Sequence, residues 1–157
     1  MPISTGRGTF LGRFERGTAR YLDLLERWNR AYNLTAVRDR PSMRVQHVLD
    51  CLAVIAPLRR QRPGGGRLLD VGSGGGLPGA VIAITAPEFD VTCVDAVGKK
   101  AAFVLQAAGS LELPNLRGVH GRVESGLAGE YHVITSRAFA SLADFVVEQE
   151  KFPWDNL

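Results

Sequence analysis

The chain carries the sequence RLLDVGSGGGLPG at residues 67–79. The apolar run before the glycines predicts a buried strand, and the apolar residues that follow Pro78 predict a helix. Glycines in the turn between them let the main chain approach a ligand closely, and the start of the helix offers N–H groups and the positive end of its dipole. The stretch therefore predicts a strand, a ligand-binding turn and a helix.

The same alternation continues along the chain. Predicted strands cover Arg67–Val71, Val91–Asp95, Leu116–His120 and Val133–Ser136, and predicted helices cover Pro78–Ala86 and Lys99–Leu113. Strands and helices that alternate in this way form a parallel sheet with crossover helices. The sequence therefore predicts an α/β, Rossmann-like domain over residues 63–157, with the strand ends contributing to one ligand site.

An N-terminal helical appendage is predicted over residues 1–62. Apolar residues recur at helical spacing from Phe10 to Trp28, and this first helix should end near Asn33. A second helix should start near Ser42 and stop before Pro57. The polar, glycine-rich stretch Arg59–Gly66 has the composition of a linker.

Charge is segregated between these two parts. Residues 1–62 carry twelve arginines against five acidic residues, whereas residues 63–157 carry seven basic and eleven acidic residues. Clustered arginines attract the phosphates of a polyanion such as RNA, and a solvated helix face is the alternative explanation. The candidate RNA contacts lie on the side of the first helix opposite its apolar stripe: Arg13, Arg16, Arg20 and Arg27.

Several classes of protein are disfavoured. No apolar run approaches the roughly 18 residues of a membrane span, and residues 1–8 lack the apolar segment of a secretory signal, so a cytoplasmic protein is expected. Cys51 and Cys93 lie in apolar stretches without a CxxC pattern, so buried thiols are expected and no metal site is predicted. The phosphate-binding pattern GxxxxGK[ST] is absent, which disfavours a P-loop hydrolase.

The glycine turn alone does not identify its ligand. Residues 74–79 satisfy GxGxxG, the pattern of dinucleotide-binding folds. Asp95 closes the second strand, where an acidic residue accepts hydrogen bonds from ribose hydroxyls in both dinucleotide and adenosylmethionine folds, or else caps the next helix. Residues 122–124 and 136–138 follow the third and fourth strands, so four strand ends face one crevice. Arg137 there can hold a carboxylate or phosphate by paired hydrogen bonds, or can simply cap the sheet.

Together these segments resemble a known family, the bacterial glucose-inhibited division protein B family. Its members are guanine-N7 methyltransferases of 16S ribosomal RNA, also called ribosomal small subunit methyltransferase G. The resemblance covers roughly residues 20–147. It is carried by the glycine turn and by these further segments: Trp28-Asn29, Tyr32–Thr35, His47–Leu52, Asp95 with Lys99-Lys100, Arg122–Glu124 and Ser136–Leu142.

The resemblance implies a class I S-adenosylmethionine-dependent methyltransferase, with S-adenosylmethionine as cofactor and 16S ribosomal RNA or the 30S subunit as partner. It implies cofactor contacts from Gly72, Leu77, Val123, Glu124 and Arg137, with Asp95 near the ribose, and Gly74 and Gly76 of the glycine turn join this predicted set. It also implies that Asn33 and His47 lie beside the cofactor or RNA entrance, so they join the four arginines as predicted RNA-binding residues.

Family members continue past the last matching segment through a further helix and three strands. The chain is therefore expected to be C-terminally shortened, and its sheet to be incomplete on that side with an exposed edge that invites self-association.

The chemistry implied by the resemblance needs no general base. Guanine N7 carries a lone pair and no proton, so positioning should provide most of the rate enhancement, and no catalytic residue is assigned. His47, His120 and His132 are expected to be structural or surface histidines. Two alternatives stay open: an NAD-dependent oxidoreductase on the same fold, and a non-catalytic RNA-binding module.

Overall fold

The computed structural model describes residues 9–122 and 131–136. The helices are α1 (Phe10–Tyr32), α2 (Arg40–Met43), α3 (Asp50–Leu52), α4 (Ile55–Gln61), α5 (Gly79–Thr85) and α6 (Gly98–Ser110), with a π-helical segment (Arg44–Leu49) between α2 and α3. The strands are β1 (Gly66–Val71), β2 (Phe89–Asp95), β3 (Leu116–His120) and β4 (Val133–Thr135).

The four strands form one parallel sheet in the order β3-β2-β1-β4, which confirms the predicted α/β architecture. Helices α5 and α6 connect neighbouring parallel strands, and right-handed crossovers place both on the same face of the sheet. Since all strands run in one direction, their carboxyl ends meet at one edge. Strand β4 pairs with β1 and is an edge strand of the described sheet.

Helix α1 begins and ends close to the predicted residues because its caps are local. The Thr9 hydroxyl accepts a hydrogen bond from the Gly12 N–H at 3.1 Å, and Asn33 takes the left-handed conformation that ends the helix, with φ of 50°. The apolar stripe buries Tyr21, Leu22 and Leu25. Burial of one large apolar side chain contributes roughly 1.5–3 kcal/mol, so this stripe holds the helix against α5 and α6.

Helices on both sides of the predicted boundary at residue 63 share one apolar cluster. Leu25 of α1 and Leu58 of α4 belong to the same cluster as Leu68 of β1 and Phe103 of α6. A division into an appendage of residues 1–62 and a domain of residues 63–157 remains a prediction. The apolar contacts across residue 63 mean that the two parts stabilise each other.

The predicted second helix and linker are wrong in their bounds. The helix begins at Arg40 because the Asp39 carboxylate accepts a hydrogen bond from the Ser42 N–H at 2.9 Å. Helix α4 passes through Pro57, which is tolerated because it lies in the first turn, where its missing N–H is not needed. The predicted linker is helical at Arg59, whose guanidinium bonds to the Glu88 carboxylate at 2.6 Å.

Two further boundaries differ by a few residues. Helix α6 ends at Ser110, before the predicted Leu113, since Glu112 takes a left-handed conformation with φ of 56°. Strand β2 begins at Phe89, before the predicted Val91, because Phe89 pairs with Gly66 and its ring is fully buried. Both differences come from tertiary context that the local pattern does not contain.

The contact between α1 and α5 depends on Gly17. A Cβ at this position would overlap Cγ2 of Ile84, a stiff and buried side chain. We predict that Gly17→Ala lowers the free energy of unfolding by about 1–3 kcal/mol, because overpacking outweighs the gain in helix propensity. Urea denaturation measures the change.

Gly109→Ala in α6 is the matched control, because none of the residues that the structure describes comes within 4 Å of its Cβ position. This substitution should leave stability unchanged or raise it by up to about 1 kcal/mol. Equal effects at the two glycines would contradict the close approach of α1 to α5.

Candidate functional site

The turn after β1 presents bare main chain at the carboxyl edge of the sheet. Gly72 and Gly74 take left-handed conformations with φ of 63° and 57°, and no atom of residues 9–122 or 131–136 lies within 4 Å of the Cβ position of either glycine. Glycine adopts such angles without the steric cost that other residues meet. The two residues therefore form an open cradle, as the glycine-rich sequence predicts.

Gly76 and Leu77 lie beneath this cradle and are buried. A Cβ at Gly76 would lie 3.2 Å from atoms of both Ala80 and Val104, so this glycine lets the turn pack on α5 and α6. The N–H groups of Gly76 and Leu77 donate to the Ser73 carbonyl at 2.9 and 3.0 Å. Both residues support the turn from behind, and direct cofactor contacts from them remain a prediction.

Asp95 connects the end of β2 to the glycine turn. Its Oδ2 accepts a hydrogen bond from the Gly74 N–H at 2.9 Å, and its Oδ1 accepts one from the Val97 N–H at 2.8 Å. Hydrogen bonds to an ionised carboxylate are stronger than neutral ones. The carboxylate thus orders two turns: the glycine turn and the turn that precedes α6. Its contact with a ribose remains a prediction.

Asp70 is a buried carboxylate that sequence reasoning left out of the site. Its Oδ2 accepts a hydrogen bond from the Gly79 N–H at 2.8 Å, and its Oδ1 accepts one from the Thr135 hydroxyl at 3.1 Å. A charge inside an apolar strand was the available signal, because such a group must be hydrogen-bonded when buried. Asp70 joins β1 to the start of α5 and to β4.

The thiol of Cys93 lies beside this carboxylate. Its Sγ is 3.9 Å from Oδ2 of Asp70, and burial, followed by the charge of Asp70, raises the pKa of the Cys93 thiol well above its usual range. The thiol is therefore protonated at neutral pH and unsuited to nucleophilic chemistry. Cys51 is buried as well, so the expectation of buried thiols is confirmed for both.

The N-terminal helix also holds the glycine turn. The fully buried Tyr21 donates its hydroxyl hydrogen to the Gly75 carbonyl at 2.6 Å. The sequence places Tyr21 in the apolar stripe of α1 and does not reveal this bond. The signal was its residue type, since a buried tyrosine hydroxyl needs a hydrogen-bond partner.

A polar network follows the end of α1 and includes both residues predicted at the entrance. The His47 Nε2 lies 2.8 Å from the Thr35 hydroxyl, and the Thr35 N–H donates to Asn29 Oδ1 at 2.9 Å. Arg38 donates to Asn33 Oδ1 at 2.6 Å and to the carbonyl of Asn29 at 3.3 Å. The structure therefore brings Asn33 and His47 into one network.

The four predicted arginines lie along α1. The polar network lies at the C-terminal end of this helix and does not include them. Arg20 donates to the carbonyl of Ser110, at the end of α6, whereas Trp28 contacts Phe103 closer to the start of α6. Helix α1 therefore runs antiparallel to α6, and its C-terminal end lies toward the carboxyl edge of the sheet. Three of the arginines lie at the far end: Arg13, Arg16 and Arg20.

The remaining predicted residues divide into two groups. Val123, Glu124 and Arg137 lie outside the described residues. The two other histidines have structural contacts, as expected: His120 is exposed with Nε2 3.1 Å from the Ala96 carbonyl, and His132 Nδ1 accepts a hydrogen bond from the Arg67 N–H at 2.9 Å.

Two negative findings hold for residues 9–122 and 131–136. No three histidine, cysteine, aspartate or glutamate residues there are grouped so that they could hold a metal ion. In the same ranges, no helix combines the length and the apolar character that crossing a membrane demands.

The family model described as "GidB: rRNA small subunit methyltransferase G" matches residues 15–156. This chain belongs to that family. The predicted resemblance is therefore confirmed, over a longer range than the residues on which it was based.

Curated relatives carry the same family description. The chain is 59% identical over 135 residues to "Ribosomal RNA small subunit methyltransferase G" of Acidovorax sp. (strain JS42), covering 80% of this chain and 59% of the relative. It is 61% identical over 127 residues to the protein of that name from Leptothrix cholodnii, covering 80% of this chain and 58% of the relative. The chain thus spans about three fifths of the length of the curated relatives it matches.

Solved structures support the fold. The S-adenosylmethionine-bound structure of CalS10, an amino pentose methyltransferase from Micromonospora echinaspora, aligns with a TM-score of 0.50 at 22% identity. The alignment covers 66% of this chain and 44% of that protein. At this identity the likeness concerns the Rossmann-like methyltransferase fold alone.

The bond between α1 and the glycine turn is testable. We predict that Tyr21→Phe lowers the free energy of unfolding by about 1–2 kcal/mol, because the buried Gly75 carbonyl loses its donor. Chemical denaturation measures this, and hydrogen exchange should become faster at the amides of residues 72–77. Tyr32→Phe is the control on the same helix, since Tyr32 is 46% exposed. Identical behaviour of the two variants would show that the hydroxyl of Tyr21 has no such role.

Proposed function

We propose that this chain is an S-adenosylmethionine-dependent methyltransferase that methylates N7 of a guanine in bacterial 16S ribosomal RNA. The observation that carries the proposal is the family match over residues 15–156, because the relatives are named as ribosomal RNA small subunit methyltransferases. An open glycine cradle at the carboxyl edge of a parallel sheet supports it, since ligands of such folds bind at this edge.

The residues at this edge fit S-adenosylmethionine. The cradle of Gly72 and Gly74 leaves room that any side chain would fill, and the carboxylate of Asp95 is fixed beside it. We assign the cofactor to these three residues, with Gly76 and Leu77 behind them. The contacts proposed from the later strand ends are those of Val123, Glu124 and Arg137.

The chemistry makes positioning the main task of the protein. Bound S-adenosylmethionine supplies an electrophilic methyl group on a sulfonium centre. Guanine N7 already has a lone pair, so no side chain needs to remove a proton from it. Tyr21 and Asp95 bond to the main chain of the glycine turn, and Asp70 bonds to the Gly79 N–H at the start of the following helix. A fixed turn restricts the relative motion of the reactants. This restriction lowers the activation free energy by several kcal/mol.

The proposed RNA contacts lie on the N-terminal helices. Asn33 and His47 belong to the network at the end of α1 that lies toward the carboxyl edge, where the target guanine would enter. Arg16, Arg20 and Arg27 are exposed, and Arg13 is half-buried. A substrate within 16S ribosomal RNA or the 30S subunit would place the protein in the cytoplasm, as the sequence predicts.

Asp95 provides a test of the cofactor site. We predict that Asp95→Ala weakens S-adenosylhomocysteine binding by at least about tenfold, because two charge-assisted hydrogen bonds that order the cradle are lost. Asp95→Asn, which keeps one acceptor oxygen, should bind with intermediate affinity. Isothermal titration calorimetry measures the affinity. Asp90→Ala on the opposite end of β2 is the control, and unchanged affinity in Asp95→Ala would remove Asp95 from the site.

The proposed reaction is tested by methyl transfer. With tritiated S-adenosylmethionine and 30S subunits lacking the modification, we expect label at a single guanine of 16S ribosomal RNA. The same protein should be stabilised in a thermal-shift assay by S-adenosylhomocysteine and not by NADH. Stabilisation by NADH alone would favour the oxidoreductase. Salt-sensitive RNA binding without stabilisation by S-adenosylhomocysteine would favour a non-catalytic RNA-binding module.

A further inference from the structure

A basic channel runs along the contact between α1 and the C-terminal end of α6. Two adjoining grooves, with volumes of about 480 and 210 Å³, share Arg20 and Leu111 in their linings and together form this seam channel. Its rim carries Arg13, Arg16, Arg20 and Arg27, and its floor includes Leu111 and Leu113.

The arginines form a straight stripe. Residues 13, 16, 20 and 27 are separated by intervals that keep them on one face of a helix, and at about 1.5 Å per residue the stripe is about 21 Å long. Asp23 is the acidic residue that lines the same channel, so positive charge dominates it. Guanidinium groups bind phosphates through paired hydrogen bonds, which suits a phosphate backbone.

The apolar floor of the channel favours single-stranded RNA over a duplex. Leu111 is 8% exposed and Leu113 is half-buried, so an aliphatic surface lies between the arginines and α6. In a duplex the faces of the bases are stacked inside, and only phosphates and sugars would reach this surface. In a single strand the base faces are available for contact with apolar side chains, while the backbone follows a positively charged groove.

The residues that line the seam channel do not include those of the glycine cradle. Arg20 bonds to Ser110 at the C-terminal end of α6, whereas the start of α6 follows Asp95 of the cofactor site. A nucleotide in the channel would therefore contact a different surface from the one that holds the proposed methyl donor.

We propose that the seam channel binds a single-stranded segment of the RNA substrate, with its phosphates on the arginines and its bases on the aliphatic floor. The inference rests on the proposed function, because it takes RNA as the substrate. It adds a second contact at a surface distinct from the proposed cofactor site. The RNA substrate would therefore include nucleotides besides the target guanine.

The charge of the channel is tested with a fluorescein-labelled 20-nucleotide oligouridylate. Arg16→Glu/Arg27→Glu should weaken its binding by more than about tenfold and make the salt dependence, d log K/d log[salt], flatter by about 1.4, or about 0.7 for each lost phosphate contact. The control Arg60→Glu/Arg67→Glu changes the net charge equally at two exposed arginines outside the channel, and should bind within about twofold of the parent.

The floor of the channel is tested separately. Leu113→Ala should weaken oligouridylate binding severalfold without changing the salt dependence, since it removes an apolar contact and no charge. A 20-base-pair RNA duplex should bind the parent more weakly than the single strand. Tighter binding of the duplex, or unchanged affinity in Leu113→Ala, would overturn the placement of bases on the floor.

Other outcomes separate this inference from the proposed function. Equal weakening in the control variant would show that overall charge is responsible, and unchanged affinity in Arg16→Glu/Arg27→Glu would show that the channel arginines do not bind the RNA. Either result overturns the channel while thermal stabilisation by S-adenosylhomocysteine still supports the methyltransferase. That stabilisation must also persist in the channel variants, which shows that they are folded. If the parent itself lacks it, the proposed function fails, whatever the RNA affinities are.

Discussion

The buried carboxylate of Asp70 is the constraint on which the carboxyl edge of the sheet depends. Removal of a carboxylate from water costs several kcal/mol unless hydrogen bonds replace its hydration. The Gly79 N–H and the Thr135 hydroxyl provide such bonds. They tie the end of β1 to the start of α5 and to β4. The strand before the glycine turn and the helix after it are therefore held in place.

The glycine turn is then held from two further directions. Asp95 bonds to Gly74 from β2, and Tyr21 bonds to Gly75 from α1. The side of the turn that remains open is the one formed by Gly72 and Gly74. This arrangement suits a reaction whose main requirement is a fixed geometry, because the turn is ordered by its own structure before any ligand arrives.

Helix α1 combines two roles on its two faces. Its apolar face joins the core and carries Tyr21, whereas its arginine face forms the rim of the seam channel. Because the helix is antiparallel to α6, its C-terminal end lies toward the carboxyl edge and its arginines reach the far end of α6. One helix thus connects the support of the glycine turn with a basic surface at the C-terminal end of α6.

The sequence by itself determined the features that depend on neighbouring residues. The bounds of α1 follow from Thr9 and Asn33, and the open cradle follows from its glycines. Only the tertiary structure decided the continuation of α4 through Pro57 and Arg59, since Arg59 is held by a carboxylate 29 residues away. It likewise decided which groups hold the cradle. The partners in these bonds are 54 residues apart for Tyr21 and Gly75 and 65 apart for Asp70 and Thr135, and no local periodicity encodes contacts at such separations.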